Sequence, residues 1–423
     1  LKKTCAANRL FYSPKEMDSM WTKEFPFVLS GVTPWTVAIC LLGTLICYVA
    51  ALASAHRRKT SSSRKALNPI RRKFLKDDYP PVYPNGWFPI LESEDLHVEE
   101  VKRVDVLGLE LVAFRTKDGT AHVMDAYCPH LGAHLGVMGR IVDGCIECPF
   151  HGWRFDSSNG VCKHVPYAAK VPEFVKLKKW QTAELLGNVF LWFHADGEEP
   201  SWKLEDVPQI TNGEWKMFRR YEEKLTCHIR DLAENESDLT HFRYFHGPNL
   251  FVSMEEFSKN AGDTKWGRFL THIWTPKWYT EDHKCSVDID ADILVLGRCP
   301  AFLKNRTYLR LHGPGLLMVR VECKFGTQVT VVSVTPEGPF QVRVVHRIHF
   351  EPNTTWLFRC ISTAGYVKSF ERDMLFWNHK SMQTKPPWQK DDRTVIEFRK
   401  WYSQFFSASS PTWRDMRDRT YEW

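Results

Sequence analysis

Cys128-Pro-His130-Leu-Gly132, followed by Cys148-Pro-Phe-His151-Gly152-Trp153, is the stretch that decides how this chain reads. Each half carries one thiol and one imidazole, with Pro directly behind the Cys and a Gly closing the turn. This spacing makes two tight loops, not a helix face or a strand. Two cysteines and two histidines form a mixed thiolate–imidazole set suited to a soft metal centre. Zinc accepts the same four ligand types, but paired short loops of this form are not its usual frame. Cys145 adds a Cys145-x-x-Cys148 pair; a redox dithiol of that spacing requires a βαβ context that is absent here. His134 lies close by, off the spacing, and reads as a polar surface residue.

The two loops have the arrangement of a Rieske 2Fe-2S cluster, with Cys128 and Cys148 on one iron and His130 and His151 on the other. Imidazole donates less negative charge than thiolate, so the His-ligated iron takes the electron and the potential rises. Respiratory Rieske proteins resemble this pattern and also carry a membrane helix, but they add one Cys per loop to form a cross-loop disulfide. Here the corresponding positions are Ala133 and Phe150, so that bond cannot form and the cluster is of the lower-potential, oxygenase type.

A second dense site follows at Asp231-Leu-Ala-Glu-Asn235-Glu-Ser-Asp238-Leu-Thr-His241-Phe-Arg-Tyr-Phe-His246-Gly247. Residues Glu222 to His246 read as helical, ending at Gly247-Pro248. On an ideal helix His241 and His246 stand about 140° apart, so they meet on one ion only where the helix is distorted or ending. Taken alone, such a pair is better read as surface histidines. Beside a Rieske motif they fit the two-histidine, one-carboxylate set of mononuclear non-haem Fe(II) oxygenases, which leaves positions for O2. The carboxylate chosen is Asp373, on a late helix, with Glu371 as its nearest rival and a solvated acidic face as the ordinary alternative. Asp238 is placed either to hydrogen-bond a ligand or to bridge electrons, and the sequence leaves both open.

Around these sites the chain divides in an orderly way. Trp87 to about Ala195 alternates short β-type runs (Glu110–Arg115, His122–Met124, Gly187–Phe193) with turns such as Asp118-Gly119. Beyond it come the long alternating runs Leu316–Cys323, Gln328–Thr335 and Gln341–Phe350, then helical stretches at 355–382 and 391–407. Strands bounded by helices predict an α+β domain with one curved antiparallel sheet.

The 423 residues carry a net charge of +7. Nine basic residues lie within 57–76 without one acid, leaving the remainder near neutral, which argues against a nucleic-acid protein. Just before that block, Trp35 to Ala55 has no charged side chain and spans about 31 Å as a helix, enough to cross a hydrocarbon core. Ala51-Leu-Ala53-Ser-Ala55 is reminiscent of a signal-peptidase site, but the apolar run is too long and its long acid-bearing leader is wrong for a signal. The Lys/Arg excess on the C-terminal flank places the larger part of the chain in the cytosol. Twelve scattered cysteines then read as free thiols, and the sequons at Asn235, Asn305 and Asn353 as incidental.

With both constellations in view, Trp87 to about Ser407 resembles the Rieske oxygenases, and within them the metazoan cholesterol 7-desaturases of the Neverland family. The resemblance is carried by Cys128–Gly139, Cys145–Arg154, Glu371–Lys380 and Phe398–Phe406. It implies a multidomain chain: an N-terminal transmembrane helix, an all-β Rieske domain, then an α+β helix-grip (Bet v 1/START-like) catalytic domain. The boundaries expected are 1–31 lumenal, 32–55 transmembrane, 56–86 basic linker, 87–196 Rieske and 197–423 catalytic. It implies iron ligands at His241, His246 and Asp373, and Asp238 as the electron bridge from a neighbouring subunit's cluster in a homotrimer. The family often reads Glu-Asn-x-x-Asp; here Glu236 adds an acid to Glu234-Asn-Glu-Ser-Asp238 and alters no ligand.

The activity implied is desaturation of cholesterol at C7–C8, giving 7-dehydrocholesterol for steroid hormone synthesis on the endoplasmic reticulum membrane. Two electrons from the sterol and two from NAD(P)H reduce O2 to two waters. No nucleotide-binding Gly-rich turn follows a strand, so a separate reductase supplies the nicotinamide electrons. Two alternatives stand: a Rieske hydroxylase of another steroid or lipid, and a membrane-anchored Rieske electron carrier without oxygen chemistry.

Overall fold

Short alternating runs punctuated by turn residues become strands from Gly86 onward. The computed structural model describes residues 79–172, 174–246, 257–259, 269–381, 383 and 385–416. The expected lumenal segment, the transmembrane helix at 32–55, the basic block and Gly247-Pro248 lie outside the described residues. Among the described residues no helix is long and apolar enough to cross a membrane.

The first ten strands are β1 (Gly86–Glu92), β2 (Val101–Val106), β3 (Leu109–Arg115), β4 (Ala121–Asp125), β5 (Arg140–Val142), β6 (Cys145–Glu147), β7 (Arg154–Asp156), β8 (Cys162–His164), β9 (Thr182–Leu185) and β10 (Asn188–Phe193). They form three antiparallel sheets in the orders β1-β10-β9, β2-β3-β4 and β5-β6-β7-β8. The last of these carries the cluster loops and packs on a small core of its own, with Phe114, Met124, Leu135, Ile146 and Phe155 fully buried around both cluster cysteines.

The second part opens with β11 (Met217–Leu225), two short helices α1 (Ile229–Glu234) and α2 (Leu239–Tyr244), and then a six-strand meander. The meander comprises β12 (Leu270–Glu281), β13 (Lys284–Val295), β14 (Lys304–His312), β15 (Leu316–Cys323), β16 (Gly326–Gly338) and β17 (Gln341–Phe350). With β11 added beside β17 it makes one seven-stranded antiparallel sheet. Side chains alternate across a strand, so the registers define rows on one face. One row runs Cys285, Leu311, Leu317, Val332, His346, Tyr221 across six strands. The long helix α3 (Trp356–His379) lies against this face: Phe370 packs on His346 at 4.2 Å between ring centroids, and Tyr366 bonds it. Helix α4 (Arg393–Tyr402) closes the fold, burying Val395, Phe398 and Tyr402. Each fully buried aliphatic or aromatic side chain contributes about 1.5–3 kcal/mol, so the alternation of these strands is itself the main driving force for the sheet.

Two expectations are corrected, for Glu222–His246 and for His134, and a third gains a contact. Glu222–His246 is not one helix. Glu222 to Leu225 finish β11, and the rest is broken by a 3-10 turn at Asn235–Ser237, because Asp238 turns back to cap α2. The end of the linker, residues 79–86, is extended as its prolines require but is not free. Tyr79, Val82 and Tyr83 join the main core, and the Tyr79 ring meets Phe340 at 4.7 Å. His134 is not a plain surface residue, since its Nε2 is buried and its Nδ1 accepts from the Gly136 N–H at 3.0 Å.

Candidate metal centres

The two cluster loops are built on one plan. In the first, the Cys128 N–H donates to the Ala133 carbonyl and the Gly132 N–H to the Cys128 carbonyl, both at 2.9 Å. In the second, the Cys148 N–H donates to the Trp153 carbonyl at 2.8 Å and the Gly152 N–H to the Cys148 carbonyl at 3.0 Å. Each loop reverses at its glycine, with φ +71° at Gly132 and +73° at Gly152, a region that costs residues with a Cβ. The two thiols point inward, each residue 2% exposed and the sulfurs within hydrogen-bond reach of one another. Burial holds the Cys128 thiol above its ordinary range, so ionisation there calls for a cation partner. The imidazoles sit at the rim, ring centroids 4.8 Å apart, with His130 stacked on Trp153 at 4.7 Å. His130 Nδ1 is buried without a hydrogen-bond partner among the described residues, and neither cysteine is in a disulfide. Paired inward thiols, adjacent imidazoles and an orphaned ring nitrogen fit a Rieske cluster.

The second centre assembles at the end of α2. His241, His246 and Asp373 each offer a donor atom, and these atoms all lie within 4.8 Å of one another. His246 Nε2 is 3.1 Å from Asp373 Oδ1, and the two rings are 5.1 Å apart. The five-residue spacing is reconciled by the way the helix stops. The Phe245 N–H donates to the His241 carbonyl at 2.7 Å, and the His246 N–H reaches the same carbonyl at 3.4 Å. That wide final turn brings His246 back over His241. The Trp274 indole N–H donates to the His246 carbonyl at 3.2 Å and fixes the turn from β12.

His241 Nδ1 donates to the Asp238 carbonyl, which leaves Nε2 as the ring's acceptor nitrogen. Burial lowers the proton affinity of His241, keeping it neutral as a metal ligand must be. His246 Nδ1 is buried without a partner among the described residues. Two imidazoles and one carboxylate converging in this way suit a divalent iron. The rival, Glu371, falls outside the group of converging donors. Asp238 caps α2, its carboxylate accepting from the Thr240 hydroxyl at 2.7 Å and the His241 N–H at 3.3 Å.

Several residues here carried no motif. Asn235 Nδ2 lies 3.2 Å from His241 Nε2, and His272 on β12 is driven down to about 4 by burial and by the nearby Arg372 and His246. Glu236, the extra acid of this segment, is 9% exposed with Oε2 unpartnered among the described residues. Its alternation within a short turn gave no periodic signal to find it by.

Comparison with known proteins gives family matches over both parts of the chain. Residues 86–175 match the Rieske 2Fe-2S domain family, and residues 191–406 the 3-ketosteroid 9alpha-hydroxylase C-terminal domain family. The chain is 37% identical to the cholesterol 7-desaturase of Xenopus laevis, covering 83% of this chain and 78% of that protein. It is 33% identical to the cholesterol 7-desaturase of Drosophila melanogaster, over 82% of this chain and 81% of that one. To the oxygenase component of 3-ketosteroid-9-alpha-monooxygenase from Rhodococcus rhodochrous it is 28% identical, over 80% and 88%. Among solved structures it shares its fold with NdmB of Pseudomonas putida CBB5 (TM-score 0.57, 16% identity, covering 80% of this chain and 97% of that one). It shares it also with dicamba monooxygenase (TM-score 0.53, 15% identity, covering 77% and 98%). The chain, a Rieske domain followed by a C-terminal oxygenase domain, belongs to the cholesterol 7-desaturase family of the Rieske oxygenases.

Proposed function

We propose that this chain converts cholesterol to 7-dehydrocholesterol by removing the hydrogens at C7 and C8, for steroid hormone synthesis. The observation that carries the reading is the convergence of His241, His246 and Asp373 beside the apolar face of the seven-stranded sheet. The kinship with cholesterol 7-desaturases supplies the substrate.

Cys128, Cys148, His130 and His151 would hold the 2Fe-2S cluster, and His241, His246 and Asp373 the Fe(II). When bound, these centres supply the one-electron steps and the activation of O2 that amino acids cannot provide. The protein's part is positional. The Asp238 carbonyl orients His241, and the wide turn and Trp274 orient His246. Leu311, Leu317 and Val332 of the inner-face row would keep water from a carbon skeleton that offers few polar handles. Asp238 is the electron bridge from a neighbouring subunit's cluster in a homotrimer: its carboxylate is half-buried on the turn that carries His241. Residues 32–55 anchor the protein in the membrane that holds its substrate, and NAD(P)H electrons arrive through a separate reductase.

A second reading is hydroxylation of another steroid, favoured by the match of residues 191–406 to the 3-ketosteroid 9alpha-hydroxylase family. Feeding cholesterol to cells that express the chain, with mass spectrometry of their sterols, tests both. The desaturase yields a product two hydrogens lighter than cholesterol. A product one oxygen heavier, or an unchanged sterol profile with metallated protein present, overturns the first reading.

A further inference from the structure

Glu234 and Glu236 stand two residues apart on one turn and meet opposite fates. Glu234 is fully engaged, with Arg399 donating to it at 2.6 and 2.9 Å and Lys380 at 3.3 Å. Glu236 is 9% exposed, and its Oε2 has no hydrogen-bond partner among the described residues. A buried polar group left in that state costs about 1–3 kcal/mol. A fold that retains one either tolerates the loss or reserves the group for a ligand.

The surroundings point to the second. The turn Asn235–Ser237 packs against β13, where the inner-face row begins at Cys285. The Glu236 carboxyl lies within electrostatic reach of Cys285 on that strand and of Tyr366 and Asp373 on α3. It is therefore bracketed by the apolar face of the sheet on one side and a residue of the metal-binding triad on the other. Burial first, and then the charge of Asp373, raise its carboxyl to about 8. A carboxyl so placed accepts a hydrogen bond from a hydroxyl and, in its acid form, can donate one as well.

We propose that Glu236 receives the 3-hydroxyl of the sterol and selects free hydroxysterols over their 3-deoxy and 3-ether counterparts. The inference rests on the sterol reading above and deepens it. C3 and C7 belong to adjacent fused rings, so an anchor for the hydroxyl belongs close to the metal triad, where Glu236 stands. The chemistry also explains discrimination. A site built to hydrogen-bond a substrate hydroxyl rejects an analogue lacking it more strongly than an apolar wall rejects a size change.

The test compares cholesterol, its 3-deoxy analogue cholest-5-ene, and its 3-methyl ether, binding to the full metallated chain by quenching of tryptophan fluorescence. Wild type is expected to prefer cholesterol over cholest-5-ene by about tenfold or more. Glu236→Met should bind both alike, and Glu236→Asp, which withdraws the acid by one methylene, should weaken cholesterol severalfold and leave cholest-5-ene unchanged. The wild-type comparison needs no variant to fold, and a purely structural role for Glu236 would not move a preference between ligands. Equal binding of cholesterol and cholest-5-ene by wild type overturns the anchor alone, as does a Glu236→Met protein that keeps the preference. If none of the three sterols binds, the sterol reading falls with it.

Discussion

The cluster loops draw all four ligands from residues 128–151, whereas the mononuclear triad draws its three from 241, 246 and 373. The first region carries its own geometry: two glycine-closed loops, four short strands and a small separate core. The second has none until α2 ends, α3 docks on the sheet, and Asp373 arrives across 127 residues of chain to meet His246. One is a local device and the other a product of the whole fold, so the two should fail differently.

The largest separation comes from removing ligands. Cys128→Ser takes a buried thiol from the cluster and from the core that surrounds it, so cluster absorbance, the electron paramagnetic signal and turnover should all vanish. His241→Ala removes one partly exposed ligand from a site that the fold already holds together. Turnover should fall below detection while the cluster signal remains at wild-type intensity. A His241→Ala protein that loses its cluster would show that the regions are not independent; one that keeps turnover would remove His241 from the metal.

That contrast also explains what could be read in advance. The cluster ligands were legible because thiol, imidazole, Pro and Gly all lie within two short segments, and the loop plan depends on nothing outside them. The strands β15, β16 and β17 were legible because their alternation is long and regular. The break within 222–246 is not legible because apolar spacing does not record a cap: Asp238 accepts from the His241 N–H and starts a new helix where the pattern predicts continuation. The environment of Glu236 is illegible for a related reason. Whether a carboxyl is solvated, paired like Glu234 or buried alone is settled by β13 and α3, which lie far along the chain.

A charged seam ties the β1-β10-β9 sheet to the seven-stranded sheet and offers a finer probe. Glu92, 2% exposed at the end of β1, accepts from Arg220 on β11 at 2.5–2.9 Å and from Arg343 on β17 at 3.3 Å. Arg220→Ala leaves that carboxylate with Arg343 alone, at a cost of about 1–3 kcal/mol. Thermal denaturation should show the main unit melting earlier, with the cluster signal lost last if its small core is independent. Arg343, through its hydrogen bond, and Arg220 hold Glu222 down to about 2 from 4.5. A carboxyl depressed in the folded state stabilises above its unfolded pKa and loses that contribution as pH falls through the folded one. Stability should therefore decline between about pH 4.5 and 2, and less steeply in Glu222→Gln. A decline equally steep in that variant would assign the acid sensitivity elsewhere.

The smallest expected effect tests whether the paired loops are as alike as their hydrogen bonds. Gly132 and Gly152 both hold positive φ, so alanine at either is strained by about 1 kcal/mol. Their surroundings differ. A Cβ at Gly132 meets nothing within 4 Å, while one at Gly152 comes to 2.8 Å from Pro166 Cγ. A proline ring has little freedom to withdraw, and the loop it presses carries His151. Gly132→Ala should thus lower the melting temperature slightly and leave the cluster's reduction potential in place. Gly152→Ala should cost more stability and also shift the potential, because displacing the second loop moves an imidazole that sets it. Equal losses at the two positions would mean that the loops are governed by backbone conformation alone, and that the rim around His151 yields as readily as open solvent does.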